Sequence, residues 1–185
     1  MASVITATNS SGLTTSADNS GVLQLASGTG NLVTVPSVTG TAMVSGNMPA
    51  FSAYASSTQS VTNLAVTKVT LDTEIFDTNN NFASSRFTPT VAGYYQLNGT
   101  IRTGASTVIT NASILIYKNG SSYARGAENS SGKNNNQVTI SSVVYLNGST
   151  DYVELYGFVE GTSPSFNYNS ADITSMFSGC LVRSA

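Results

Sequence analysis

The sequence predicts an all-β protein with a packed core, and three observations support this prediction. From Phe51 onward, short runs rich in Val, Ile, Tyr and Phe recur at intervals of roughly 8 to 15 residues, the rhythm of a β-sandwich or barrel. No segment predicts a helix of any length, and Pro89 and Gly93 oppose one in mid-chain. Hydrophobic residues make up 40% of the 185 residues, a content that disordered chains lack.

The charge content excludes several classes of partner. Charged residues are 9% of the chain, against about 25% in an average globular protein, and the formal net charge is −2. The seven basic residues are scattered, which gives no electrostatic basis for binding nucleic acid. No apolar run approaches the ~20 residues of a membrane helix, and the first residues lack the pattern of a signal peptide. We therefore expect synthesis in the cytoplasm, with no membrane insertion and, because Cys180 is the single cysteine, no intrachain disulfide.

Residues 1–48 differ in composition from the rest of the chain. They contain no aromatic residue, and Asp18 is their only charged residue. The runs "GVLQLA" and "NLVTVP", separated by "SGTG", predict a loose hairpin or two successive strands. Apolar residues alternate in these runs but are too few to form a core alone, so we expect them to pack against copies or another protein rather than stay flexible. These attachment candidates are Leu23, Leu25, Val33 and Val35.

A linker ending at Pro49 predicts a second domain, residues 49–185, in which alternation identifies individual strands. "YYQLNGTI" at 94–101 places Tyr95, Leu97 and Ile101 on one face. "SILIYKNGSSYARG" at 113–126 predicts two strands joined by a turn at "KNG", whose Asn and Gly accept positive φ. Two further strands are predicted on either side of "LNGSTD", and the last strand is "MFSGCLV".

Five motifs, in order along the chain, resemble those of the C1q/TNF-like jelly roll. The stretch "RFTPTVAGYYQLNGTI" contains Phe87, Gly93, Tyr95 and Leu97 in the pattern F-x5-G-x-Y-x-L, where the family has F-x5-G-x-Y-x-F. The other motifs are "PAFSAY" at 49–54, "IYKNG" at 116–120, "VVYLNGSTDYVEL" at 143–155 and "FSGCLV" at 177–182. The resemblance covers about residues 50–183, with departures where Leu97, Gly99 and Cys180 replace aromatic residues.

The resemblance implies a ten-stranded antiparallel jelly-roll β-sandwich that assembles as a trimer, with apolar and aromatic residues along the threefold axis. In "DYVELYGFV", Val153, Leu155 and Val159 can face the core, and the aromatic residues then lie on the other face. The alternative is that another part of the same chain covers those aromatic residues. The predicted trimer-interface residues are Tyr95, Leu97, Tyr152, Tyr156, Phe158 and Phe177.

A second resemblance concerns the N-terminal segment. "SSGLTTSADNSGVLQLASGTGNLVTVPSVTGTAMV" is similar to the leading segment of tailed-bacteriophage fibre and other virion proteins. This implies a structural protein of the virion, synthesised in the host cytoplasm. Residues 1–48 would be a short β-rich anchor or shaft that binds phage capsid or tail proteins.

The residues needed for catalysis are largely missing. There is no histidine, so neither a Cys/His pair nor a Ser/His/Asp triad can form. Asp72, Glu74 and Asp77 are close in sequence and could hold calcium or act as paired carboxylates, but a solvated surface is the favoured interpretation. We therefore expect no enzyme activity, no metal and no cofactor.

Together these features predict a homotrimeric fibre knob that contacts a host-surface glycan or protein through several equivalent loops. The predicted contact residues are Asn80 and Asn135 in Asn-rich loops, and Phe166 and Tyr168, whose rings could stack on a sugar. Two alternatives remain open. The chain could be a capsid or tail decoration (cement) protein without host binding, or a non-viral C1q-like lectin.

Overall fold

The computed structural model describes residues 23–26, 32–35, 48–130 and 132–185. The chain divides into two compact units, Met1–Thr41 and Ala42–Ala185. In the first unit, β1 (Leu23–Ala26) and β2 (Leu32–Val35) form an antiparallel hairpin. The register pairs Leu23 with Val35 and Leu25 with Val33, which confirms the hairpin interpretation of this segment. The attachment role of these four residues stays a prediction, and most of the predicted linker lies outside the described residues.

The second unit is a sandwich of two antiparallel sheets, each named here after its long central strand. The β9 sheet has the order β4-β14-β9-β15-β3-β6, and β12 also pairs with β9. The β13 sheet has the order β11-β10-β13-β8-β7, with β5 also paired to β13. The strands are β3 (Ala50–Tyr54), β4 (Gln59–Ser60), β5 (Thr67–Lys68), β6 (Thr73–Asp77), β7 (Phe82–Ala83), β8 (Arg86–Phe87), β9 (Gly93–Gly104), β10 (Asn111–Lys118), β11 (Ser121–Asn129), β12 (Asn135–Leu146), β13 (Val153–Glu160), β14 (Ser165–Phe166) and β15 (Met176–Ser184).

The core lies between the two sheets and follows from the period of two along each strand. On β9, Tyr95, Leu97 and Ile101 point inward and are fully buried. On β13, the inward residues are Val153, Leu155 and Val159, as the sequence predicts. The predicted "KNG" turn is also present between β10 and β11, with positive φ at Asn119 and Gly120.

Stacked aromatic rings form the centre of this core. The Phe51 ring stacks on those of Phe87 and Phe82, with centroid distances of 4.3 and 5.1 Å. Phe177 meets Phe51 edge-on at 5.2 Å, and Tyr95 meets Phe87 edge-on at 5.5 Å. Such stacked and edge-on pairs add to the stabilisation that burial itself gives. The core therefore draws its rings from both sheets.

The motif around Phe87 has a structural explanation. Phe87 belongs to the aromatic centre, and the buried Tyr95 hydroxyl donates a hydrogen bond of 2.6 Å to the carbonyl oxygen of Val91. Burial raises the pKa of Tyr95 far above its usual value, so the hydroxyl remains a donor. Gly93 begins β9 beside β15, where an added Cβ would collide with the Arg183 carbonyl oxygen and the Leu181 side chain. The packing of the protomer therefore explains each of these residue types in the motif.

This packing contradicts the trimer-interface prediction for three residues. Tyr95, Leu97 and Phe177 have no exposed surface in the single chain, because each is an inward residue of its strand. They fill the space between the two sheets and cannot touch a second chain. The interface prediction for these three residues was wrong.

The Gly93→Ala substitution tests the close approach of β9 and β15. We expect it to lower the free energy of unfolding by about 1–3 kcal/mol, because the added methyl group overpacks a site bounded by backbone. Urea denaturation would measure the change, with Ser122→Ala, at an exposed position of β11, as the control. Equal stability of the two variants would contradict this account of Gly93.

Candidate functional site

The outward side of the β9 sheet has an extended uncharged surface between Arg102 on β9 and Arg183 on β15. The inward alternation of β9 leaves Tyr94, Gln96, Asn98 and Thr100 facing outward, and the residues paired with them on β12 and β15 face the same way. We call this surface the uncharged sheet face. Its members are Tyr94, Gln96, Asn98, Thr100, Thr139, Ser141, Val143, Tyr145, Met176, Ser178, Cys180 and the bulge residue Val182, and it ends at Arg183, which pairs with Tyr94 beyond the bulge in β15.

Apolar and aromatic side chains stand out on this face. Tyr94, Val143 and Val182 are each about half exposed, at 45%, 49% and 54%. The Tyr94 and Tyr145 rings form a tilted pair with centroids 5.4 Å apart. Such a combination of aromatic residues and missing charge is typical of the buried centre of a protein interface.

The polar residues of the face bond to one another across strands. The Gln96 Nε2 donates to Ser141 Oγ at 2.8 Å, and Ser141 Oγ donates to Asn98 Oδ1 at 3.0 Å. Gln137 Nε2 donates to Thr100 Oγ1 at 3.0 Å beside them. Because these groups already have partners, a second chain can cover them at a small cost in unsatisfied hydrogen bonds. This face was not among the predicted sites, although the alternation that buries Tyr95 could have indicated that Tyr94 faces the other way.

The outer side of the β13 sheet carries a charged cluster instead. Glu154 is only 3% exposed, and its Oε1 accepts hydrogen bonds from Lys68 Nζ at 2.7 Å and Arg86 Nε at 2.9 Å. Burial raises the pKa of the Glu154 carboxyl, but the hydrogen bonds and charges of Lys68 and Arg86 outweigh it and hold the pKa below its usual value. Two cations thus share one carboxylate, and the cluster has a net positive charge.

Of the three remaining interface candidates, Tyr152 and Tyr156 contact this cluster and are partly covered by their own chain. The Tyr152 ring has the Arg86 guanidinium 3.8 Å above its centroid. The Tyr156 ring stacks on Tyr117 at 3.9 Å, and its hydroxyl bonds to Glu154 Oε2 at 3.4 Å. Phe158 is half-buried on the same strand. Cover by the same chain was the alternative that the sequence left open for these aromatic residues, and the structure favours it.

Two polar pockets contain the predicted ligand-contact asparagines. Asn80 lines a pocket of about 510 Å³ beside the charged cluster, and we call it the Lys68 pocket. Asn135 lines a second pocket of about 490 Å³, together with Arg102 and Asp172. The structure therefore does not bring these two asparagines into one site.

Of the two aromatic ligand-contact candidates, only Tyr168 is accessible. It is 38% exposed, and its backbone N–H donates to Thr58 Oγ1 at 3.0 Å. Phe166 is 2% exposed because β14 pairs with β9 and turns its ring inward over Gly157. The prediction that Phe166 contacts a ligand was wrong.

The acidic residues near β6 bond to the chain itself. Asp72 accepts hydrogen bonds from the Ser56 backbone N–H and hydroxyl, both at 2.8 Å, and Asp77 accepts one from the Phe82 N–H at 2.6 Å. Within the described ranges, no three His, Cys, Asp or Glu residues lie together as metal ligands would. In the same ranges, no helix is long and apolar enough to cross a membrane.

The pH dependence of stability tests the Glu154 cluster. A carboxyl whose pKa is lowered by folding contributes stability above its usual pKa of 4.5, and this contribution is lost as the pH falls through the folded value. We expect Glu154→Gln to lower the free energy of unfolding at pH 7 by on the order of 1–2 kcal/mol, because Lys68 and Arg86 are partly solvated.

The difference between wild type and Glu154→Gln should shrink below about pH 4.5 in denaturation curves measured from pH 7 to pH 3. Glu74→Gln is the control, since Glu74 is exposed and has no ion-pair partner in the described part of the chain. A difference that is constant over this range would contradict the ion-pair account.

Several solved structures share this architecture. The globular domain of zebrafish complement 1qA has a TM-score of 0.56 at 18% identity, covering 74% of this chain and 99% of that chain. Murine APRIL gives 0.56 at 11% identity, with coverage of 73% and 99%. Eiger TNF from S. frugiperda gives 0.50 at 10% identity, with coverage of 75% and 93%.

Neither a protein-family model nor a curated protein sequence matches the chain. The structural similarity nevertheless confirms the fold that the motif around Phe87 and Gly93 predicts. Residues 48–185, in the part that the structure describes, have the all-β, antiparallel jelly-roll fold of C1q and TNF domains.

Proposed function

We propose that this chain is a structural virion protein of a tailed bacteriophage, a homotrimeric fibre knob without enzyme activity. Its N-terminal segment attaches to the capsid or tail, and its jelly-roll unit contacts the host surface. The observation that carries the assembly is the uncharged sheet face. The resemblance of residues 10–44 to leading segments of phage fibre proteins supports the location in the virion.

The uncharged sheet face suits contact with further copies of the chain. Its exposed aromatic and apolar groups gain from burial, and the outward positions between Arg102 on β9 and Arg183 on β15 present no charge that would lose its hydration. The same face is present on every copy, so the contact can close into a symmetric ring. A trimer is also what the C1q/TNF-like resemblance implies.

The proposed interface differs from the one that the sequence suggested. The outer face of β13 presents a charged cluster, whereas the uncharged sheet face presents no charge between Arg102 and Arg183. Covering Lys68 and Arg86 with a second chain would remove their solvation, which is costly for a pair of cations sharing one carboxylate. We therefore place the threefold contacts on the β9 sheet and leave the β13 sheet facing outward.

The anchor role rests on the β1–β2 hairpin. Four residues on each strand provide a short ladder with apolar residues paired in register, and a two-stranded ribbon gains stability by adding to another sheet. A partner strand from a capsid or tail protein fits this need. Host contact through the three equivalent sets of loops of the trimer would raise weak individual affinities to useful avidity.

The assembly prediction uses a matched pair of variants in a fragment of residues 49–185. We expect the wild-type fragment to be a trimer by light scattering and Val143→Glu to dissociate it, because the variant introduces a charge into the uncharged sheet face. Tyr123→Glu, at a 50% exposed position on the opposite sheet, should remain a trimer.

Cys180 provides a second readout, since it is exposed in the protomer and lies on the uncharged sheet face. We expect its thiol to react slowly with a disulfide reagent in the wild-type fragment and faster in Val143→Glu. A monomeric wild-type fragment, or dissociation by Tyr123→Glu alone, would refute the proposed interface.

The location in the virion is tested by immunolabelling of phage particles with an antibody against residues 49–185. We expect label at fibre tips or the tail, and loss of that label when residues 1–48 are deleted. The deletion should leave the thermal unfolding of the knob unchanged. Regular label over the whole capsid would indicate a decoration protein, and absence of label would refute the virion role.

A further inference from the structure

We infer that the Lys68 pocket binds an acidic saccharide, with the anionic group on Lys68 and Arg86 and the sugar hydroxyls on the neutral pocket wall. This inference rests on the proposed host-contact role for the origin of the ligand, and it names the site and the ligand class. The pocket lies between β5, β8 and the β6–β7 loop. It belongs to the β13 sheet, so a trimer formed through the uncharged sheet face leaves it open.

The Lys68 pocket has an excess of positive charge. Lys68 and Arg86 are two of only seven basic residues in the chain, and both bond to the same oxygen of Glu154. One carboxylate cannot neutralise both, and every other residue that lines the pocket is uncharged. The pocket therefore has a net positive charge that favours an anion.

The two cations of the pocket also have hydrogen-bond donors to spare. Lys68 Nζ donates to Glu154 and to the Ser84 carbonyl oxygen, at 2.7 and 2.9 Å, and an ammonium has one donor more. Arg86 donates to Glu154 through Nε alone, and within the described ranges its terminal nitrogens have no hydrogen-bond acceptor. A carboxylate or phosphate oxygen in the pocket would satisfy these donors with charge-assisted bonds.

The two cations are held in place by the surrounding chain. The Lys68 ammonium is fixed at 2.9 Å by the Ser84 carbonyl oxygen, in a β7–β8 turn where Ser84 and Ser85 have positive φ. Glu154 is buried beneath, and the Tyr152 ring supports the Arg86 guanidinium. A site whose charges are already oriented loses less entropy when it binds.

The neutral wall of the pocket is polar and suits a sugar. Asn80, Ser84, Thr88 and Thr90 supply amide and hydroxyl groups, which are the usual partners of sugar hydroxyls. Asn81 fixes this wall, because its backbone oxygen accepts from the Thr88 N–H at 2.8 Å and its Oδ1 from the Thr90 N–H at 3.3 Å. The volume of about 510 Å³ lies within the range of small-molecule sites.

The test uses titration of the purified full-length protein, followed by calorimetry and by NMR of the ligand. The probes are a uronic-acid disaccharide, the matching neutral disaccharide and inorganic phosphate. We expect the uronic-acid disaccharide to bind at least about tenfold more tightly than either of the others. Equal binding of the neutral sugar would overturn the role of Lys68 and Arg86, and tighter binding of phosphate would overturn the saccharide assignment.

Variants locate the site. Arg86→Gln should weaken binding of the uronic-acid disaccharide by about tenfold or more, which corresponds to the loss of one charge-assisted contact. Thr90→Val removes a wall hydroxyl while keeping the backbone N–H that bonds to Asn81, and it should weaken binding without changing stability. Arg102→Gln, in the second pocket, is the control and should bind as wild type.

The result is separable from the proposed function. If virions are labelled at fibre or tail but the purified protein binds no acidic saccharide, this inference fails and the virion role stands. If the saccharide binds but virions carry no label, the pocket assignment stands and the virion role fails. Binding that Arg102→Gln weakens and Arg86→Gln does not would place the ligand in the other pocket and overturn the inference.

Discussion

The packing of aromatic rings between the two sheets is the constraint on which the rest of the structure depends. Phe51 stacks on Phe87 and meets Phe177 edge-on, so strands that are distant in sequence are joined at one point. Because side chains alternate along a strand, fixing Tyr95 in this core also fixes Tyr94 on the outside. The outward surfaces of both sheets are therefore consequences of how the core is filled.

The two outward surfaces differ in the chemistry that they present. The β9 sheet presents aromatic, apolar and mutually bonded polar groups, a combination that favours burial against another chain. The β13 sheet holds Glu154, Lys68 and Arg86, whose charges favour contact with water or with a polar ligand. A trimer built on the first surface presents three copies of the second to the surroundings. Assembly and recognition can then operate without competing for the same residues.

Much of the fold could be predicted because its determinants are local. Alternation in "YYQLNGTI", the turn at Asn119 and Gly120 and the paired runs at 23–35 each depend on residues close in sequence. The motif of Phe87, Gly93 and Tyr95, together with four further motifs in order along the chain, also indicated the jelly roll. A glycine is needed at position 93 because β9 and β15 approach too closely there to leave room for a Cβ atom.

The candidate sites could be predicted only in part, because they combine residues that are far apart in sequence. Lys68 and Glu154 are 86 positions apart, and nothing local to either indicates their ion pair. Phe166 lies in a polar run that predicts a loop, but pairing of β14 with β9 turns its ring into the core. The sequence alone determined which residues alternate and where the chain turns, since these depend on backbone preferences of neighbouring residues. Only the tertiary structure decided which alternating face is buried, because that depends on the sheet packed against it.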